Sequence, residues 1–118
     1  MSVGLFVERS PGQTAISVDE WIEVLKTDPQ LRHRREPYWA TNPRTGARLS
    51  IAVGEADSEI HIDGEWEPFL RFQQGKLATE YTDELTIPVN LRRRKIVEVA
   101  ARFGARIVTD VDDAPLDW

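Results

Sequence analysis

The sequence predicts an α+β domain: one twisted, mainly antiparallel sheet with two helices packed on one face, in the order β-α-β-β-β-β-β-α-β. Three observations carry this expectation. Residues 16–25 (ISVDEWIEVL) form an amphipathic helix with its start written out. Residues 31–81 hold short apolar segments separated by turn residues, as an antiparallel meander requires. A second apolar stripe at helical spacing runs to Gly104 and leads into a last strand, ARIVT.

Val3 to Val7 reads as a buried strand, ended by Ser10-Pro11-Gly12. In the helix that follows, Ser17 is positioned to cap free N–H groups, and Glu20 to complete a capping box. Ile16 and Trp21 have the spacing of a hydrophobic staple, and Pro29 ends the helix. Leu31 to Ala40 is predicted as one strand, with Pro37 confining it to an edge or bending it. Asn42-Pro43-Arg44-Thr45-Gly46 is a turn. Leu49, Ile51 and Val53 alternate with Arg48, Ser50 and Ala52, predicting a half-buried strand. Another strand carries Ile60 and Ile62 and closes at Gly64.

Residues 69–81 predict a hairpin with Gly75 at a positive-φ position. The second helix is expected to begin after Thr86-Ile87-Pro88, with Val89, Ile96, Val99, Ala100 and Phe103 on its apolar side. Burial of Trp21, Leu25, Ile96 and Phe103 would contribute roughly 1.5–3 kcal/mol each. Residues 110–118 form an acidic tail ending in Trp118.

The 118 residues suit a single domain, 1–118, with a core of its own. No cysteine is present, so neither disulfides nor zinc-thiolate chemistry holds the fold. Nothing in the first residues has the pattern of a signal peptide and no run has membrane-spanning length, so the expected compartment is the cytoplasm. The net charge of −5 disfavours general nucleic-acid binding and suits capture of a basic partner.

The chain resembles a family of small proteobacterial proteins that look like toxin-immunity proteins. The matching residues are Pro11-Gly12, the Ile16–Trp21 helix start, Asn42-Pro43, the Phe69–Leu77 hairpin and residues 100–108 (AARFGARIV). The resemblance covers most of the chain through caps, turns and core positions, and includes no catalytic signature. It implies a cytoplasmic inhibitor that binds a cognate toxin, expected to be basic, with a nuclease as one candidate, and no cofactor or metal is expected. Gln74 stands where the family tends to have Asp or Asn, and the segment from Glu55 to Glu67 is more acidic than its pattern.

That acidic segment is the first candidate site. Glu55, Asp57, Glu59, Asp63, Glu65 and Glu67 surround Trp66, with Asp112 and Asp113 as flankers from the tail. Carboxylates would steer a basic partner inward and Trp66 would anchor it. The plainer alternative is the solvated side of a strand, because Glu59, His61 and Asp63 alternate with Ile60 and Ile62. A rival reading uses the basic runs Arg32-His33-Arg34-Arg35 and Arg92-Arg93-Arg94-Lys95 for nucleic acid; charges on the outer face of a helix explain the second run better. Pairing of these runs with the acidic segment would cancel both readings. A third places a small active site at His61 and Asp63, which share a strand face; no nucleophile or third ligand has matching spacing, so no enzyme is expected.

Overall fold

The computed structural model describes residues 3–34, 38–52, 54, 56–111 and 114–118, without the side chains of Tyr38 and Ile51. In chain order the elements are β1 (Val3–Glu8), α1 (Val18–Thr27), β2 (Leu31–His33), β3 (Tyr38–Thr41) and β4 (Arg48–Ile51). Then come β5 (Ser58–Ile62), β6 (Glu65–Pro68), β7 (Arg71–Gln73), β8 (Lys76–Tyr81), α2 (Leu91–Phe103) and β9 (Arg106–Thr109). A 3-10 turn, Asp83–Thr86, precedes α2. The chain is α+β and its strand pairs are antiparallel.

Among the described residues seven strands separate the helices, where the sequence indicated five. Leu31–Ala40 supplies two of them, β2 and β3, and Asp63-Gly64 turns the chain back to make β6. The strands form three ladders: β7-β8-β1-β9, β2-β5-β6, and the separate pair β3-β4. The split follows from partner choice, since β2 pairs with β5 while β3 pairs with β4.

Alternation along the central ladder places one face inward. Val7 lies opposite both Leu77 and Ile107, and these pack with Leu5 against Trp21, Leu25, Ile96, Val99 and Phe103. Both helices therefore cover the same face. Leu31, Ile60, Phe69 and Leu70 bring the second ladder into that core.

The start of α1 is as the sequence indicates. Ser17 Oγ accepts from the Glu20 amide at 3.1 Å, and Glu20 Oε1 accepts from the Ser17 amide at 3.3 Å. The Arg9 guanidinium donates to Glu20 at 2.6 Å; this bond, with the Ser17 amide, holds the Glu20 carboxyl below the usual carboxylate range. Trp21 is fully buried, its ring edge-on to Phe103 at 6.4 Å, and its Nε1–H donates to the Ala56 carbonyl at 3.1 Å. One side chain thus joins α1, α2 and the approach to β5.

The start of α2 differs from the expectation. Asn90 is the N-cap, its side chain accepting from the Arg93 amide at 3.0 Å, and the helix begins at Leu91. Val89 therefore precedes the helix and is 75% exposed rather than part of its stripe. The tail folds back: the Leu116 amide donates to the Ile107 carbonyl at 2.7 Å, and Trp118 packs 6.1 Å from Tyr81 under the Arg93 guanidinium.

Candidate partner-binding surface

The β5–β6 hairpin carries the acidic segment. Ile62 pairs with Glu65, leaving a two-residue turn of Asp63 (φ 53°) and Gly64 (φ 82°). Positive φ at both positions is the I′ geometry that suits the twist of a hairpin, and Asp-Gly is a preferred sequence for it. Asp63 and Glu65 are exposed at this tip, and neither forms an ion pair among the described residues.

The other described carboxylates of the segment, Asp57, Glu59 and Glu67, serve the fold. Glu59 is only 8% exposed; its Oε1 meets Arg32 Nε at 2.8 Å and its Oε2 meets Arg34 Nη1 at 2.7 Å. The register that sets Arg32 opposite Glu59 makes this clamp between β2 and β5. Asp57 is 5% exposed and accepts from the Gly54 amide at 3.1 Å. A Cβ at residue 54 would lie 2.7 Å from Asp57 Oδ1, so a larger residue there would have to displace that carboxylate. Glu67 accepts from Arg92 at 3.1 Å, and the same guanidinium donates to the Pro68 carbonyl at 2.6 Å.

Trp66 is half-buried between His61, 5.0 Å away, and the Arg32 guanidinium, 4.3 Å from its ring centre. It is a half-buried stacked strut rather than a free anchor. Glu55, Asp112 and Asp113 lie outside the described residues. Of the proposed binding residues, the structure brings Asp63, Glu65, Trp66, Glu59 and Glu67 onto one hairpin and presents Asp63 and Glu65 openly.

The basic runs are largely consumed by the same pairing. Arg32 and Arg34 hold Glu59, Arg92 holds Glu67, and Arg93 donates to the carbonyls of Leu85 and Thr86. Arg35 lies outside the described residues. Lys95 is buried instead of facing solvent: its ammonium lies 2.9 Å from Asp28 Oδ2 and 3.1 Å from Glu98. Burial pushes the Asp28 carboxyl up, but the Lys95 hydrogen bond, the Gln30 amide and nearby charges outweigh it and hold it low. Burial likewise pulls Lys95 down, and its bonds to Asp28 and Glu98 reverse that and hold it high. Among the described residues, no three His, Asp or Glu side chains converge as metal ligands.

Exposed large apolar side chains lie elsewhere: Ile87, Val89 and Leu91 around the start of α2, Val111 in the tail, and Trp39 and Leu49 on the hairpin β3–β4. Asn42 organises its loop: the Arg44 amide donates to Asn42 Oδ1 and the Gly46 amide to the Asn42 carbonyl, each at 2.8 Å. Among the described residues this pair joins no other ladder, and it exposes Trp39 to 58% and Leu49 to 57%. Register puts Trp39 opposite Ser50 and Leu49 opposite Ala40, so the two side chains occupy opposite faces. The Arg48 guanidinium lies 4.8 Å over the Trp39 ring. Alternation alone had indicated a half-buried strand at Leu49; the hairpin instead leaves it in solvent. The one sequence signal for this was the lack of a long apolar run on either side of the Asn-Pro turn.

No protein-family description, curated protein or solved structure matches the chain.

Proposed function

We propose that the protein is a binding module of the immunity type, which occludes a basic bacterial toxin in the cytoplasm. The observation that carries this reading is the β3–β4 hairpin, with Trp39 and Leu49 outside the core and no ladder beside it among the described residues. An isolated two-stranded hairpin is marginal in water, and exposed aromatic side chains are the usual anchors of interfaces. Asp63 and Glu65 at the second hairpin tip, with the net charge of −5, would favour a basic partner during encounter. The nucleic-acid reading is weaker, because Arg32, Arg34 and Arg92 already serve Glu59 and Glu67.

The test is capture with the tagged protein from its native host, followed by co-production of the captured protein in a neutral host. One stoichiometric basic protein, toxic alone and harmless beside this chain, is the expected result. Recovery of nucleic acid, or of a protein whose toxicity is unchanged by co-production, would refute the reading.

A further inference from the structure

The β3–β4 hairpin has a strand edge that the fold leaves unused. The Asn42 amide donates to the Ala47 carbonyl at 2.8 Å, so residues 42 and 47 form a hydrogen-bonded pair. Such pairs alternate with non-hydrogen-bonded ones along an antiparallel ladder. With Thr41 opposite Arg48 and Trp39 opposite Ser50, the N–H and C=O groups of Arg48 and Ser50 therefore point away from β3. Among the described residues no strand meets this edge. Residues 47–50 are all exposed, and neither a proline nor a carboxylate guards them. The β3 strand, in contrast, is flanked by Pro37 and Pro43.

We propose that two copies of this chain pair β4 against β4, antiparallel, about a two-fold axis at Leu49. This register sets Arg48 of each copy opposite Ser50 of the other, so every outward N–H and C=O group of the two residues finds a partner. The two Leu49 side chains then meet in a non-hydrogen-bonded pair, the closest approach that antiparallel strands make. A two-stranded hairpin, marginal alone, becomes half of a four-stranded sheet. The axis is perpendicular to that sheet, so Trp39 and Arg48 of both copies lie on one face and both Leu49 side chains on the other. Charge favours contact at this place: the hairpin carries Arg44 and Arg48 and no carboxylate, while the rest of the chain holds the whole negative surplus, so each hairpin is drawn to the other copy's body. One strand edge is smaller than the roughly 1,200–2,000 Å² of stable complexes, which makes the pairing reversible and concentration-dependent. The pairing stands on backbone geometry; its use rests on the binding function proposed above, whose Trp39 surface becomes one sheet face shared by two copies.

The test is sedimentation equilibrium of the full chain from about 10 µM to about 1 mM, the range of a weak complex. A monomer–dimer equilibrium is expected. Ser50→Pro should weaken it at least about tenfold, because it removes two of the four intermolecular bonds and leaves the β3–β4 ladder intact, whereas Ser50→Ala should not change it. Leu49→Cys places a single thiol in a chain that has none. Oxidation should join two copies there, since Cβ atoms of directly opposite residues lie about 4.5–5.5 Å apart, and Thr45→Cys in the loop should join far more slowly. A chain that stays monomeric throughout, a dimer indifferent to Ser50→Pro, or equal linking at the two cysteine positions would overturn the pairing. Backbone circular dichroism checks that Ser50→Pro folds; if it does not, the Leu49→Cys arm decides. These readings need no toxin, so failure to capture one would remove the proposed function and leave the pairing standing. A captured toxin that binds Ser50→Pro and the parent equally would refute the shared face while leaving the binding function intact.

Discussion

Replacing Glu59 with glutamine separates scaffold from recognition in the acidic segment. The side chain is nearly enclosed and clamps Arg32 and Arg34 with contacts of 2.8 and 2.7 Å. Glu59→Gln keeps the shape but removes the charge that both guanidinium groups share. The Arg34 contact is the more buried, and hydrogen bonds to a charged group contribute about 1.5–3 kcal/mol in such settings. Arg32 is half exposed, so its contact adds no more than about 1 kcal/mol after solvent screening. The expected loss is therefore about 2–4 kcal/mol, or a fall in Tm on the order of 10 °C for a chain of this size. Urea denaturation followed by Trp fluorescence gives the free energy directly, and a double-mutant cycle with Arg34→Gln isolates the pair. A Glu59→Gln protein within about 0.5 kcal/mol of the parent, the range of an ordinary surface change, would refute the clamp. In that case Glu59 would return to the pool of recognition residues.

Three further outcomes follow from the geometry. Trp21→Ala should cost about 3–5 kcal/mol, because it empties the junction of α1, α2 and the Ala56 carbonyl, and Trp21→Phe should still cost about 1–3 kcal/mol by orphaning that carbonyl; both are read by denaturant melts. Gln74→Asn should stabilise by up to about 1 kcal/mol, seen as a higher urea midpoint at unchanged slope, because Asn tolerates the φ of 48° better than Gln in the tight β7–β8 turn. The Asp28 carboxyl is held below its usual value of 3.8, so its stabilisation is complete above that pH and is lost as acid titrates it below. Acid unfolding of Asp28→Asn should therefore begin from a lower stability at neutral pH and show a shallower loss below pH 3.8 than the parent.

What was legible in the sequence was local. The Ser17–Glu20 box, the Gly75 turn and the Gly104 stop each depend on residues a few positions apart, and each appears in place. The Asp63-Gly64 turn is equally local and carries a strong hairpin signal, although Gly64 is taken above only as the close of a strand. Asn90 was also available as a cap, but Pro88 drew the predicted helix start toward Val89. The Glu59 clamp and the Lys95–Asp28 pair were not legible, because they depend on the register of β2 against β5 and on contact across 67 residues. Charge runs identify neither their partners nor their burial. That β3–β4 joins no other ladder among the described residues is likewise a property of ladder pairing, which alternation within one strand does not encode.

The most direct test of the account is the affinity of the captured toxin for a Trp39→Ser variant. Trp39 is exposed, so the variant should fold with stability within about 0.5 kcal/mol of the parent. If the hairpin anchors the partner, loss of this side chain should weaken binding by roughly 30-fold or more, the signature of an interface hot spot. Unchanged affinity in the folded variant would contradict the assignment of β3–β4 as the binding surface.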